Sequence, residues 1–187
     1  NGLTDELRRL KEVFDGSFLI TQQVKTEVVD KPFTIKNFEL EAFRTKKLID
    51  DGVLELADTF GFNNSQIDTK AREIMEIANS FFQSPKEEVK IMHSGEATCL
   101  ALSKMLSEKK IKNLIVIDER TTRMLIEKPN NLEELLSRKL HTNIKTVKKN
   151  FEYFKNFQVI RTAELMYVVW KKGLIEIKDG IPLLDAL

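Results

Sequence analysis

Apolar positions recur at helical spacing in the first residues of the chain: Leu7, Leu10, Val13 and Phe14 place one amphipathic helix over 4–14. Asp15-Gly16 closes it, and "SFLIT" follows as a short buried strand. "QQVKTEVVDKP" predicts a brief helix with Val24 and Val28 inward, stopped by Pro32. "NFELEAFRTKKLIDDG" predicts another, apolar at Phe38, Ala42, Leu48 and Ile49 and ended by Asp50-Asp51-Gly52. "VLELAD" reads as a strand, and residues 65–82 as a helix with Ile67, Ala71, Ile74, Ala78 and Phe81 on one face.

After Pro85 the pattern continues with the helix in "HSGEATCLALSKML" and the strand Leu114–Ile117, which looks bound for the middle of a core. Helices at 120–127 and 131–140 come next, then "KNFEYF", a short strand "QVI", a helix over 162–172 ending at Gly173, and "LIEIK" as a last strand. Alternating strands and helices with β-branched strands predict an α/β fold, a mostly parallel sheet flanked by helices.

Composition narrows the classes. The 187 residues are 42% hydrophobic and 32% charged, suited to a single domain spanning 1–187 with a helical insertion at about 58–92. Net charge is +1, so attraction to nucleic acid or membrane needs a local patch rather than a global field. A lone cysteine, Cys99, excludes internal disulfides and fits a reducing compartment. No apolar run reaches the ~18–20 residues that span a bilayer, and no signal-peptide pattern is visible, so a cytoplasmic protein without membrane association is expected. No Gly-rich phosphate loop supports a nucleotide-binding reading.

The candidate chemistry lies in carboxylates that follow strands. Asp118 ends "NLIVID", and open parallel sheets bind ligands outside the carboxyl ends of their strands. Glu96 lies in the first turn of its helix, where Ser94 is the expected N-cap and the helix dipole favours negative charge. Glu27 comes one or two helical turns after "FLI". Three acids converging from strand ends suit a hard cation, Mg²⁺ or Mn²⁺, which takes oxygen ligands. Such an ion activates water and stabilises charge on a phosphodiester. Each acid also has a plain structural reading. Glu96 can be a first-turn acid that suits the dipole, Asp118 the N-cap of the next helix, and Glu27 part of a solvated face.

The segments "SGEATCLALSKML", "NLIVIDERTTR" and "VIRTAELMYVVWKKGLIE…PLLDAL" together resemble the PIN-domain superfamily, in its archaeal and bacterial branch. "FLITQQVKTEVVDKP" resembles that family's second strand and its V-x-x-E helix. The resemblance covers about residues 16–57 and 93–187. It implies a three-layer α/β/α sandwich and a metal-dependent ribonuclease whose acidic pocket maps onto Glu27, Glu96 and Asp118, with Glu119 beside them. The family's opening D-x-x-x-L-I strand has no counterpart here. That strand, with its Asp, is expected to precede Asn1. If it is lacking, a non-catalytic PIN-like module for RNA binding or assembly is the alternative. The resemblance leaves a homodimer, an antitoxin-like partner and the RNA target open.

Substrate contacts are expected from cations nearby. Arg120 and Arg123 flank the Asp118 end; Arg123 either meets a scissile phosphate or pairs with Glu119 or Glu127. From Arg138 to Lys149 run five basic residues and no acid: Arg138, Lys139, Lys145, Lys148 and Lys149. Phe151, Tyr153 and Phe154 follow, either stacking RNA bases or anchoring the segment to the core. His93 and His141 lie far apart without a Cys pair, which argues against zinc. Thr162 is the expected cap of the last helix, and Trp170 and Tyr167 read as packing.

Overall fold

A computed structural model of the protein describes residues 4–85, 89–147 and 151–174. In chain order these form α1 (Thr4–Val13), β1 (Phe18–Ile20), α2 (Gln22–Lys25), a π-helical turn (Thr26–Asp30), α3 (Lys31–Phe33), α4 (Glu39–Asp50), β2 (Leu54–Leu56) and a 3-10 turn (Ala57–Phe60). Then come α5 (Asn64–Asn79), β3 (Phe82–Gln83), α6 (Ser94–Glu108), β4 (Ile115–Val116), α7 (Arg120–Glu127), a 3-10 turn (Pro129–Asn131) and α8 (Leu132–Leu140). β5 (Lys145–Thr146), a 3-10 turn (Glu152–Phe154), β6 (Val159–Ile160) and α9 (Thr162–Lys171) complete the order. The protein is mixed α/β; among the described residues helix predominates and the strands are few and short. It divides into two compact units, one of Asn1–Asn64 with Arg161–Leu187, the other of Ser65–Ile160.

In the first unit β1 and β2 pair in parallel, Phe18 opposite Leu54 and Ile20 opposite Leu56. The connection between them is helical from Gln22 to Phe33, because the π turn carries the helix past the expected stop at Pro32. Lys31 donates its amide to the Thr26 carbonyl, a wide i→i+5 bond. Pro32 then enters in the first turn of α3, where its missing N–H leaves no ladder bond open. The π turn also moves the inward position by one residue. Val24 would be followed inward by Val28 in an α-helix, but here Val29 is buried and Val28 is exposed.

Leu10 of α1 packs with Met166 and Val169 of α9, and Phe18, Leu165 and Leu174 close around them. Val13 and Phe14 are exposed, so α1 buries a narrower stripe than its pattern predicts; Phe14 stacks on Phe18 at 5.2 Å between ring centroids. Phe38 is exposed as well. Tyr167 and Trp170 lie on the open face of α9 against each other, not in the core. The expected last strand falls almost wholly outside the described residues.

In the second unit α5 presents the predicted face: Ile67, Ala71, Ile74 and Ala78 are all buried. α5 ends at Asn79, however, and Phe82 belongs to β3, which pairs antiparallel with β5. β4 and β6 are parallel, Ile115 opposite Val159 and Val116 opposite Ile160. Among the described residues each sheet has two strands. That is why "LIVI" is not a core strand: Ile115 is 7% exposed, while Leu114 and Val116 on the other face stay open at 49% and 43%. Among the described residues no helix is long and apolar enough to cross a membrane.

Candidate functional site

Two of the three expected acids follow the carboxyl end of a parallel strand pair. In the first unit Glu27 lies in the π turn beyond β1, partly buried, and accepts a hydrogen bond from Gln23 Nε2 at 2.8 Å. In the second unit Asp118 stands exposed just past β4, two residues before α7. Glu96 is placed differently. The strand before it, β3, is antiparallel and ends at Gln83, and Glu96 opens α6 from a non-strand segment.

Three helix starts, those of α6, α7 and α9, are built by glutamates. The cap of α6 is His93, not Ser94: Glu96 reaches back and accepts the His93 amide at 3.0 Å on Oε2. His93 Nδ1 stands 3.9 Å from the same oxygen. α9 repeats the device, with Arg161 rather than Thr162 at the cap and its amide donated to Glu164 Oε2 at 2.7 Å. α7 is capped by Glu119, whose Oε2 accepts the Thr122 amide at 2.6 Å. A carboxylate at these positions meets unpaired amides and the positive end of the helix dipole. The signal was present in sequence as H-S-G-E and R-T-A-E, a glutamate three residues after the cap.

Glu119 is held from several sides. Burial pushes its pKa up, but the amides of Thr122 and Thr121, with their hydroxyls alongside, outweigh that and hold it below the ordinary value. Lys139 of α8 comes to 3.9 Å from Glu119 Oε1 and 3.4 Å from Thr121 Oγ1. A depressed folded-state pKa contributes stability above the unfolded pKa, and that contribution is lost as pH falls through the folded value. Thermal melts between pH 7 and 3 should therefore show the gap between wild type and Glu119→Gln closing as the acid range is entered. A gap that stays constant would contradict this account.

The expected substrate cations are largely answered by acids. Arg123, its side chain 17% exposed, faces Glu127 at 3.9 Å, and its Nε is buried with no hydrogen-bond partner among the described residues. Arg138 pairs with Glu134 one turn earlier on α8. Arg120 is exposed at the start of α7. Lys148 lies outside the described residues. Although the stretch from Arg138 contains no acid, Glu134, Glu119 and Glu133 come to it from the fold; Glu133 Oε2 accepts from the Thr146 amide at 2.8 Å. Phe151 and Phe154 are buried against Phe81, centroids at 4.7 and 5.9 Å, so these two rings anchor the segment. Lys104, which the sequence pattern did not single out, donates to Tyr153 Oη at 2.8 Å.

Carboxylates are the right donors for Mg²⁺ or Mn²⁺. Among the described residues, though, no three His, Cys, Asp or Glu gather closely enough to hold an ion. No family model matches the sequence, and neither the curated proteins nor the solved structures contain a match to it.

Proposed function

We propose that the chain is a PIN-like ribonuclease that hydrolyses RNA phosphodiesters, with Glu27, Glu96 and Asp118 as its working acids. The observation that supports it is the placement of Asp118, two residues past the carboxyl end of β4 in a parallel pair, with Glu27 in the π turn that follows the other parallel strand, β1. Ligands of open α/β sheets bind at such ends. The three-layer sandwich, the insertion at 58–92 and a cytoplasmic setting belong to the same reading. So does its ion, Mg²⁺ or Mn²⁺. Arg120 is the exposed cation best placed in sequence to meet a phosphate.

A second reading is a non-catalytic PIN-like module for RNA binding or assembly. It is favoured by the spending of Glu96 and Glu119 on helix caps and by the Lys139 ammonium beside Glu119. The two separate on one pair of measurements: Mn²⁺-dependent cleavage of single-stranded RNA, and the melting temperature with and without Mn²⁺. The nuclease predicts cleavage abolished by EDTA and a rise in melting temperature with Mn²⁺, as any ligand of the folded state produces. RNA binding with no cleavage and no rise leaves the module.

A further inference from the structure

Tyr167, Val168 and Trp170 line the open face of α9, exposed at 40%, 42% and 38%, while Met166 and Val169 on its other side are buried with Leu10. Residues three and four apart share a helix face, which sets Tyr167, Trp170 and Lys171 together. The Tyr167 and Trp170 ring centroids lie 5.8 Å apart at 45°, and the Lys171 ammonium stands 5.9 Å from the Tyr167 centroid. Single apolar residues scattered over a surface are ordinary, but two contacting aromatic side chains beside a cation form a patch. The charges around it are of one sign. Lys171 and Lys172 are exposed, and neither pairs with an acid among the described residues. Arg9 reaches the same end of the helix, donating to the Leu174 carbonyl at 3.3 Å. The acid of α9, Glu164, lies at the opposite end, where it accepts the Arg161 amide and faces its guanidinium at 3.5 Å.

We propose that this face of α9 binds single-stranded RNA, with bases stacked on Trp170 and Tyr167 and phosphates met by Lys171, Lys172 and Arg9. The inference rests on the RNA-directed reading above, in its nuclease or its module form, and adds the surface that holds the strand. A single strand alternates open bases with phosphates. Every base has a flat face, so rings beside cations take it without a sequence code. Tyr and Trp each freeze only two side-chain torsions on binding, so ordering them costs little. Cations that meet phosphates release condensed counterions, which ties the affinity to salt. Other occupants fit this face less well. A helix lying in a membrane surface carries its cations on the side opposite its rings, whereas Lys171 stands on the same side as Tyr167. A second copy meeting the same patch would bring like charges together.

Trp170 is the chain's one tryptophan, so tryptophan fluorescence reports on this face alone. The test titrates the full chain, in EDTA to hold off any cleavage, with an oligouridylate of about 12 nucleotides, a length within the range that one stacking surface covers. Quenching of Trp170 is expected, with an affinity that falls as salt rises. Anisotropy of a labelled oligouridylate extends the measurement to variants. Trp170→Ala should bind about tenfold more weakly, and Trp170→Phe within about threefold of wild type. The double variant Lys171→Gln/Lys172→Gln should flatten the plot of log affinity against log salt by about 1.4, the amount for two phosphates on a single strand. These positions are exposed, so melting temperatures should stay near wild type. RNA binding that leaves both Trp170 fluorescence and the affinity of Trp170→Ala unchanged overturns the proposal, as does no binding at all. Emission that responds to protein concentration or to phosphatidylserine vesicles, but not to RNA, overturns it in favour of a second copy or a membrane. Cleavage with Mn²⁺ is scored separately. Binding through Trp170 without cleavage keeps this face and drops the nuclease. Mn²⁺-dependent cleavage with binding unmoved by Trp170→Ala does the reverse.

Discussion

Replacing Phe154 by alanine is expected to remove about 3–5 kcal/mol of stability and to lower the melting temperature by about 10 °C. Phe154 is 0% exposed and sits in a 3-10 turn that has few hydrogen bonds of its own to hold it. Its ring meets Phe81 at 5.9 Å nearly perpendicular, Tyr153 at 5.2 Å and Phe157 at 6.2 Å. Edge-to-face pairs add to the area they bury. Truncation removes both terms and leaves a hole that packed neighbours fill only in part. Phe154→Leu, which keeps most of the volume, should recover over half of the loss. Differential scanning calorimetry on both variants checks this, and a loss below about 1 kcal/mol for alanine would mean that the ring is not an anchor. The same experiment bears on RNA: a buried ring that serves packing alone changes stability, not affinity for single-stranded RNA in the fraction that is folded.

The second large effect separates from stability altogether. Asp118→Asn should lower RNA cleavage by about 100-fold or more, since several kcal/mol of barrier lowering depend on charge at such a site. Its melting temperature should stay close to wild type, because an exposed surface substitution is ordinarily worth within about 0.5 kcal/mol. Asparagine keeps the shape and one acceptor oxygen but not the charge, so the comparison isolates electrostatics. Glu127→Gln, also exposed but placed at the far end of α7, is the control and should cleave normally. Full cleavage by Asp118→Asn would remove Asp118 from the chemistry and, with it, the strand-end argument.

Most helices were legible along the chain because a 3.6-residue apolar period needs no partner to be seen. α5 shows this with Ile67, Ala71, Ile74 and Ala78. Stops were legible too: Gly52 and Gly173 both take positive φ, at 69° and 70°, where a side chain would be strained. The caps were misplaced by one residue. Short polar residues at Ser94 and Thr162 drew attention away from the longer reach of Glu96 and Glu164. The expected stop at Pro32 is off by one residue: the helical segment ends at Phe33, with the proline in the first turn of α3 after the π turn.

The sequence by itself determined roughly where the helices run and, for α5, which residues face a core, along with the strand endings that precede Glu27 and Asp118. Those follow from periodicity and local sterics. Val13, Val28 and Phe38, expected inward, are exposed. Only tertiary structure decided pairing and charge. β3 and β5, two residues each, carry no period of their own and exist because they find each other. The basic run from Arg138 contains no acid, yet Glu119, twenty residues earlier, reaches Lys139 through a helix–helix contact. Electrostatic partners are set by distance in space, which side-chain order along a chain does not encode.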